Sequence, residues 1–155
     1  MWRICWSNLP PRSPERFRYA PSMAAEIFTQ RFPVDAADID ELGHVNNIVY
    51  LRYAQDIAIA HWRSRATQEM VEGLVWVVLR HEADYRAALT LGDDVEVRTR
   101  VDEAPQGASW VRFVDIYKVG AEKPAAQIKS NWCLLDAKTR RVKRVPMDLV
   151  QRFLA

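Results

Sequence analysis

The chain has 155 residues, 49% of them apolar and 27% charged, and a net charge of +2. That length suits one domain, and that balance is ordinary for a globular protein. A charge so near zero makes no case for nucleic acid as a partner, and no apolar run approaches the roughly 20 residues that a membrane span needs.

Residues 1–22 carry Pro10, Pro11, Pro14 and Pro21, with Trp2 and Trp6 and no regular period. Arg3, Arg12, Arg16 and Arg18 against Glu15 make the segment basic, so the positive charge belongs to it and not to the rest. Neither the apolar run nor the cleavage site of a secretory signal is present. The expectation is a disordered or non-native extension, with Met23 as the natural start and residues 23–155 as the domain. Two cysteines, Cys5 and Cys133, do not make a disulfide framework. Cys133 lies in an apolar strand-like run and reads as a buried, inert thiol. A reducing, cytoplasmic location is expected.

From Glu26 to Val34 the chain alternates loosely, as a half-buried strand does. From Ile48 the apolar residues Leu51, Ala54, Ile57, Ala58 and Trp62 recur at helical steps, which predicts a helix from about Asn46 to about Arg65. Its apolar positions, Ile48 and Ile59 included, cover much of its circumference, so it wants burial on more than one side. Between strand and helix lies Asp38-Ile39-Asp40-Glu41-Leu42-Gly43-His44-Val45-Asn46-Asn47. Gly43 can take a backbone angle that other residues resist, and Asn46 or Asn47 suits an N-cap. An acid, Asp40, is thereby set near the positive end of a helix. Unpaired helix N–H groups can polarise a thioester carbonyl and hold its oxyanion. A carboxylate nearby can attack that carbonyl or activate water. The arrangement suggests acyl chemistry.

Further on, Leu74–Leu79 is a short apolar run read as a central strand, which His81 to Ala88 continue. Gly92-Asp93-Asp94 turns the chain. Val95–Val101 alternates strictly, as a half-exposed strand does. After the turn at Pro105-Gln106-Gly107, Ser109–Val119 alternates again, with Trp110, Arg112, Val114 and Ile116 on one face by parity. Gly120–Pro124 turns, Ala125–Leu135 is the last strand, and Met147–Leu154 is a short helix after Pro146. Tight turns imply antiparallel pairing. The basic run Lys138–Arg144 offers Arg140, Arg141 and Lys143 as grips for phosphate, or else as a solvated hairpin edge. No cluster has metal-site spacing, no glycine-rich phosphate loop is present, and no G-x-S-x-G elbow is present.

The run Asp38–Tyr50 resembles the D-x-D-x-x-G-H-V-N-N-x-x-Y signature of hotdog-fold acyl-CoA thioesterases, the family that includes the 4-hydroxybenzoyl-CoA thioesterases. Tyr85–Val95 is similar to the family's Y-x-x-P-x-x-x-G-D-x-V junction, with Ala88 in place of proline. The resemblance spans about Ala25 to Leu154. It implies an α+β hotdog fold, an antiparallel sheet wrapped around one long helix, in homodimers or homotetramers joined edge to edge with active sites between subunits. It makes Asp40, the second Asp of D-x-D, the catalytic carboxylate, as nucleophile or as general base. Asn47 resembles the position whose backbone N–H points at the thioester oxygen. In the related plant acyl-carrier thioesterases, motif Asp, Asn and His side chains act together, which keeps Asn46 and His44 as helpers. Tyr50 is read as a core aromatic or as a wall of the acyl pocket. No metal or prosthetic cofactor is implied, coenzyme A being part of the substrate. The alternatives are a hotdog dehydratase acting on 3-hydroxyacyl thioesters and a domain that binds acyl-CoA without turnover.

Overall fold

The computed structural model describes residues 25–154, so the expectation for residues 1–22 lies outside the described residues. The elements run β1 (Phe28–Pro33), a 3₁₀ turn (Ala36–Asp38), α1 (Asn47–Arg65), α2 (Gln68–Gly73), β2 (Leu74–Tyr85), β3 (Asp94–Val101), β4 (Ser109–Lys118), β5 (Ala126–Asp136) and α3 (Met147–Leu154). The five strands form one antiparallel sheet in the order β1-β3-β4-β5-β2. The sheet packs against α1, chiefly through β3. This is the expected α+β architecture. The short α2, capped by the Thr67 side chain on Met70 N–H, has too few residues for a readable period.

Two apolar clusters share the space between sheet and helices. The first joins Tyr50, Tyr53, Ala54 and Ile57 of α1 to Val95, Val97, Val114, Ile116 and Ile128. The second, at the far end of the strands, joins Trp110, Val101 and Leu134 to Leu149, Val150 and Phe153 of α3. The parity reading of β4 holds: Trp110, Arg112, Val114 and Ile116 are all buried. Cys133 is also buried.

Three expectations are corrected. The buried stripe of α1 is Tyr50, Tyr53, Ala54, Ile57, Ala58 and His61, whereas Ile48 is 73% exposed and Ile59 is exposed too. One sheet covers one side of a helix, so the second apolar side has no cover among the described residues. β2 is an edge strand, not a central one, since among the described residues it pairs with β5 alone. Its apolar run ends in exposed Val78 and Leu79, where the register shifts. β3 is less exposed than expected: Val95, Val97, Thr99 and Val101 are buried on one face, and on the other Glu96 and Arg100 are buried while Asp94 and Arg98 stay exposed. Glu96 is buried between Arg31 and Arg98, and Arg100 lies over the Phe113 ring at 4.3 Å. Long side chains of neighbouring strands roof the outer face of a strand that sits inside the sheet.

Candidate active site

A three-rung hairpin shapes the segment between β1 and α1. Asn46 N–H donates to Asp38 C=O at 2.9 Å, Ile39 bridges Val45, and Asp40 N–H donates to His44 C=O at 2.8 Å. Gly43 closes the hairpin at φ +78, a left-handed angle that costs a residue with a Cβ about 1–2 kcal/mol. No neighbouring atom would meet such a Cβ, so the backbone angle and not space selects glycine.

The two aspartates of this segment separate by environment. Asp38 is buried, takes Arg52 on both oxygens at 2.7 and 2.6 Å, and accepts from Tyr53 Oη at 2.9 Å. It anchors the hairpin to α1. Asp40 is half-buried. Its Oδ1 accepts from Leu42 N–H at 2.9 Å, the bond of an ordinary turn aspartate, and its Oδ2 accepts nothing among the described residues.

Helix α1 starts beside this carboxylate. Asn46 is its N-cap, with Oδ1 accepting from Ile48 N–H at 3.0 Å and its carbonyl accepting from Val49 N–H at 2.9 Å. The amide of Asn47 is the one first-turn N–H that no described residue accepts, as the opening turn of a helix leaves it. Asn47 C=O accepts from Tyr85 Oη at 3.0 Å, which fixes that turn to the end of β2.

The segment after β2 docks on the same place. Leu89 N–H donates to Tyr50 Oη at 3.0 Å, and Val45 N–H to Leu89 C=O at 2.8 Å. Asp93 accepts from Thr90 and pairs with Lys118 at 2.7 Å. Tyr50 is thus a buried core aromatic. Burial foremost pushes its hydroxyl pKa up against the Leu89 bond, and the charges of Asp93 and Asp40 add to the rise. Burial also raises Tyr85. Both phenols stay protonated at neutral pH and can donate. Asp40, Gly43, His44, Asn46, Asn47 and Tyr50 therefore gather at one end of the sheet, with Tyr85 added by the fold.

Arg140, Arg141 and Lys143 are exposed and lie elsewhere. They follow the C-terminal end of β5, where Asp136 pairs with Leu74, whereas Ala126 pairs with Tyr85 at the motif end. At about 3.3 Å per residue along β5, Arg140 and Arg141, beside Asp136, lie roughly 30 Å from their own motif, and Lys143, opposite Leu134, roughly 25 Å. Arg140 sits at φ 58 in the turn, and Val142 bridges Leu135, the hairpin edge of the second reading.

A cavity of about 230 Å³ opens at that far end as well, under the C-terminal half of α1. Trp62, Trp76, Trp110 and Trp132 line it, with Gln55 and Arg112. The tryptophans come from four separate elements, so spacing along the chain gave no sign of their meeting. The Arg112 guanidinium donates to His61 Nδ1 and Thr99 Oγ1, each at 3.0 Å. Arginine only donates, so His61 carries its proton on Nε2, which has no partner. Burial first, then Arg112 and Arg65, pushes His61 down to about 3. Burial pulls Arg112 down to about 10, still cationic at neutral pH. Among the described residues no group of three or more His, Cys, Asp or Glu side chains could hold a metal ion, and no helix is long and apolar enough to cross a membrane.

The family described as the thioesterase-like superfamily matches residues 34–153. A Thermus thermophilus thioesterase solved with coenzyme A and zinc is 26% identical, with a TM-score of 0.71, over 85% of this chain and 94% of that one. A Synechocystis 1,4-dihydroxy-2-naphthoyl-CoA thioesterase is 17% identical at a TM-score of 0.71, over 83% and 96%. A Staphylococcus aureus protein in complex with CoA is 17% identical at 0.72, over 86% and 85%. The last two likenesses establish the fold alone, which is the hotdog. No curated protein matches the chain in sequence.

Proposed function

The chain belongs to the thioesterase-like superfamily, and on that premise we propose that it hydrolyses an acyl-CoA thioester to the free acid and CoA. The observation that carries this reading is the pairing of the free Asp40 Oδ2 with the unpartnered Asn47 amide, both fixed to one end of α1 by the same hairpin. The amide, at the positive end of a 19-residue helix, holds the oxygen on which negative charge develops. Asp40 supplies the attack from its unengaged oxygen. As nucleophile it adds to the carbonyl carbon, CoA leaves as the thiolate, and water cleaves the resulting anhydride. As general base it takes a proton from water, whose oxygen adds instead. Either route yields acid and thiol with no redox change and needs no metal or prosthetic group.

A second copy of the chain completes the site in this proposal. β2 is a long edge with exposed Val78 and Leu79, and an uncovered apolar edge invites another strand. Two-fold pairing there sets the two sheets antiparallel. The Leu74 end of one copy then meets the Tyr85 end of the other. Arg140, Arg141, Lys143 and the tryptophan cavity of one copy come to the motif end of its partner, so the basic residues reach the phosphates of a CoA bound there. The exposed side of α1, with Ile48 and Ile59, is covered in the same step.

The test is thiol release from short, long and aromatic acyl-CoAs, run beside Asp40→Asn. The asparagine keeps an oxygen for Leu42 N–H, so the fold is expected intact and turnover down by about 10²-fold or more. Near-wild-type turnover from the folded variant would rule the role out.

A further inference from the structure

An apolar acyl pocket has no need of a buried cation, yet Arg112, 8% exposed, stands in the lining of the tryptophan cavity. Its donors to His61 Nδ1 and Thr99 Oγ1 are both on Nη1. A guanidinium has five N–H donors, so three remain, on Nε and Nη2, with no acceptor among the described residues. No carboxylate pairs with it there, and His61 is held neutral. A buried charge without a counter-charge is costly. The Nε–Nη2 edge is the side of a guanidinium that grips a carboxylate through two parallel bonds. Trp132 Nε1, another buried donor, also lacks an acceptor. Four indoles give the cavity flat apolar walls. Its volume of about 230 Å³ exceeds the roughly 150 Å³ that holds one benzene ring, leaving room for a substituent.

We propose that the tryptophan cavity seats the acyl group and that Arg112 selects acyl groups carrying a carboxylate at the end remote from the thioester, on a stem the size of one aromatic ring. This rests on the thioesterase reading, with the motif of a second copy presenting the thioester, since the cavity lies at the far end of the sheet from its own motif. The substrate supplies the counter-charge that the described residues withhold. A neutral analogue leaves Arg112 buried and unmatched, which is the condition under which polar sites discriminate strongly.

The experiment compares 4-carboxybenzoyl-CoA with 4-methylbenzoyl-CoA by thiol release. The expected kcat/KM is at least about tenfold higher for the carboxylate, and the gap closes in Arg112→Gln. Equal or faster turnover of the methyl compound overturns the proposal and leaves the thioesterase reading standing. Should Arg112→Gln not fold, the wild-type ratio decides. If neither thioester is cleaved, the short- and long-chain acyl-CoAs decide the thioesterase reading, and binding decides the carboxylate site, read by tryptophan fluorescence. Saturable quenching by terephthalate and not by 4-methylbenzyl alcohol upholds the carboxylate site. No quenching by terephthalate overturns it.

Discussion

Asp38 and Asp40 are two positions apart and chemically alike, yet the fold gives them opposite tasks. Asp38 spends both oxygens on Arg52 and Tyr53, while Asp40 keeps one oxygen clear. A similar division holds for the histidines. His44 lies half-buried in the hairpin, His81 bonds Ser130 at 2.7 Å, and His61 is sealed in the core. His61 is stacked on Phe28 at 5.0 Å and edged by Phe153 at 4.7 Å. Its pKa falls from 6.5 to about 3 on folding. Between those values the unfolded chain binds the extra proton, so stability declines as pH falls below about 6.5 and is untouched above it. From pH 6.5 to 5 the loss is expected to reach up to about 2 kcal/mol. Thermal melts followed by circular dichroism over that window should flatten in His61→Gln, whose oxygen can still accept from Arg112. An unchanged slope in the variant would place the titration elsewhere.

Among the elements, α1 does most to build the site, and it does so through its first turn. Asn46 caps Ile48 N–H and Val49 N–H, which leaves the Asn47 amide as the donor still available. Asn46→Ala is expected to lower stability by about 1 kcal/mol, read as the urea midpoint. Asn46→Asp keeps an acceptor at the cap and should restore that stability. If Asn46 is a cap alone, thiol release recovers with it. If turnover stays low in the stable Asn46→Asp protein, the side-chain amide itself acts on substrate or water. β3 shows the reverse relation between element and surroundings. Its alternation is real, but neighbours in the sheet cover Glu96 and Arg100 on the face that alternation leaves polar, and leave Asp94 and Arg98 exposed.

At the scale of the whole molecule, two features face outward with no cover within the described residues: the β2 edge and the Ile48–Ile59 side of α1. Placing a lysine on an edge strand opposes pairing. Leu79 is 61% exposed, so Leu79→Lys should leave the chain folded while its sedimenting mass drops from twice the chain mass to once. Thiol release should fall with it, because the proposed site draws its two ends from two copies. A Leu79→Lys protein that stays paired, or a single copy that turns over at the wild-type rate, would separate the site from the edge.

The motif Asp38–Tyr50 was legible because each part is local: a glycine at a left-handed angle, a cap, and a carboxylate one turn before a helix. Strand periods and tight turns likewise carry the antiparallel α+β architecture, since side-chain alternation is written residue by residue. What the chain alone could not reveal depends on contacts between distant segments. The strand order places the apolar Leu74–Leu79 run at an edge. Four tryptophans from α1, β2, β4 and β5 meet in one cavity. Arg112, by sequence only one residue on the inward face of a strand, is distinguished by being buried without a carboxylate partner among the described residues. Periodicity tells which side of an element is apolar, but only tertiary packing settles which of those sides is covered, by what, and which charges are cut off from water in the process.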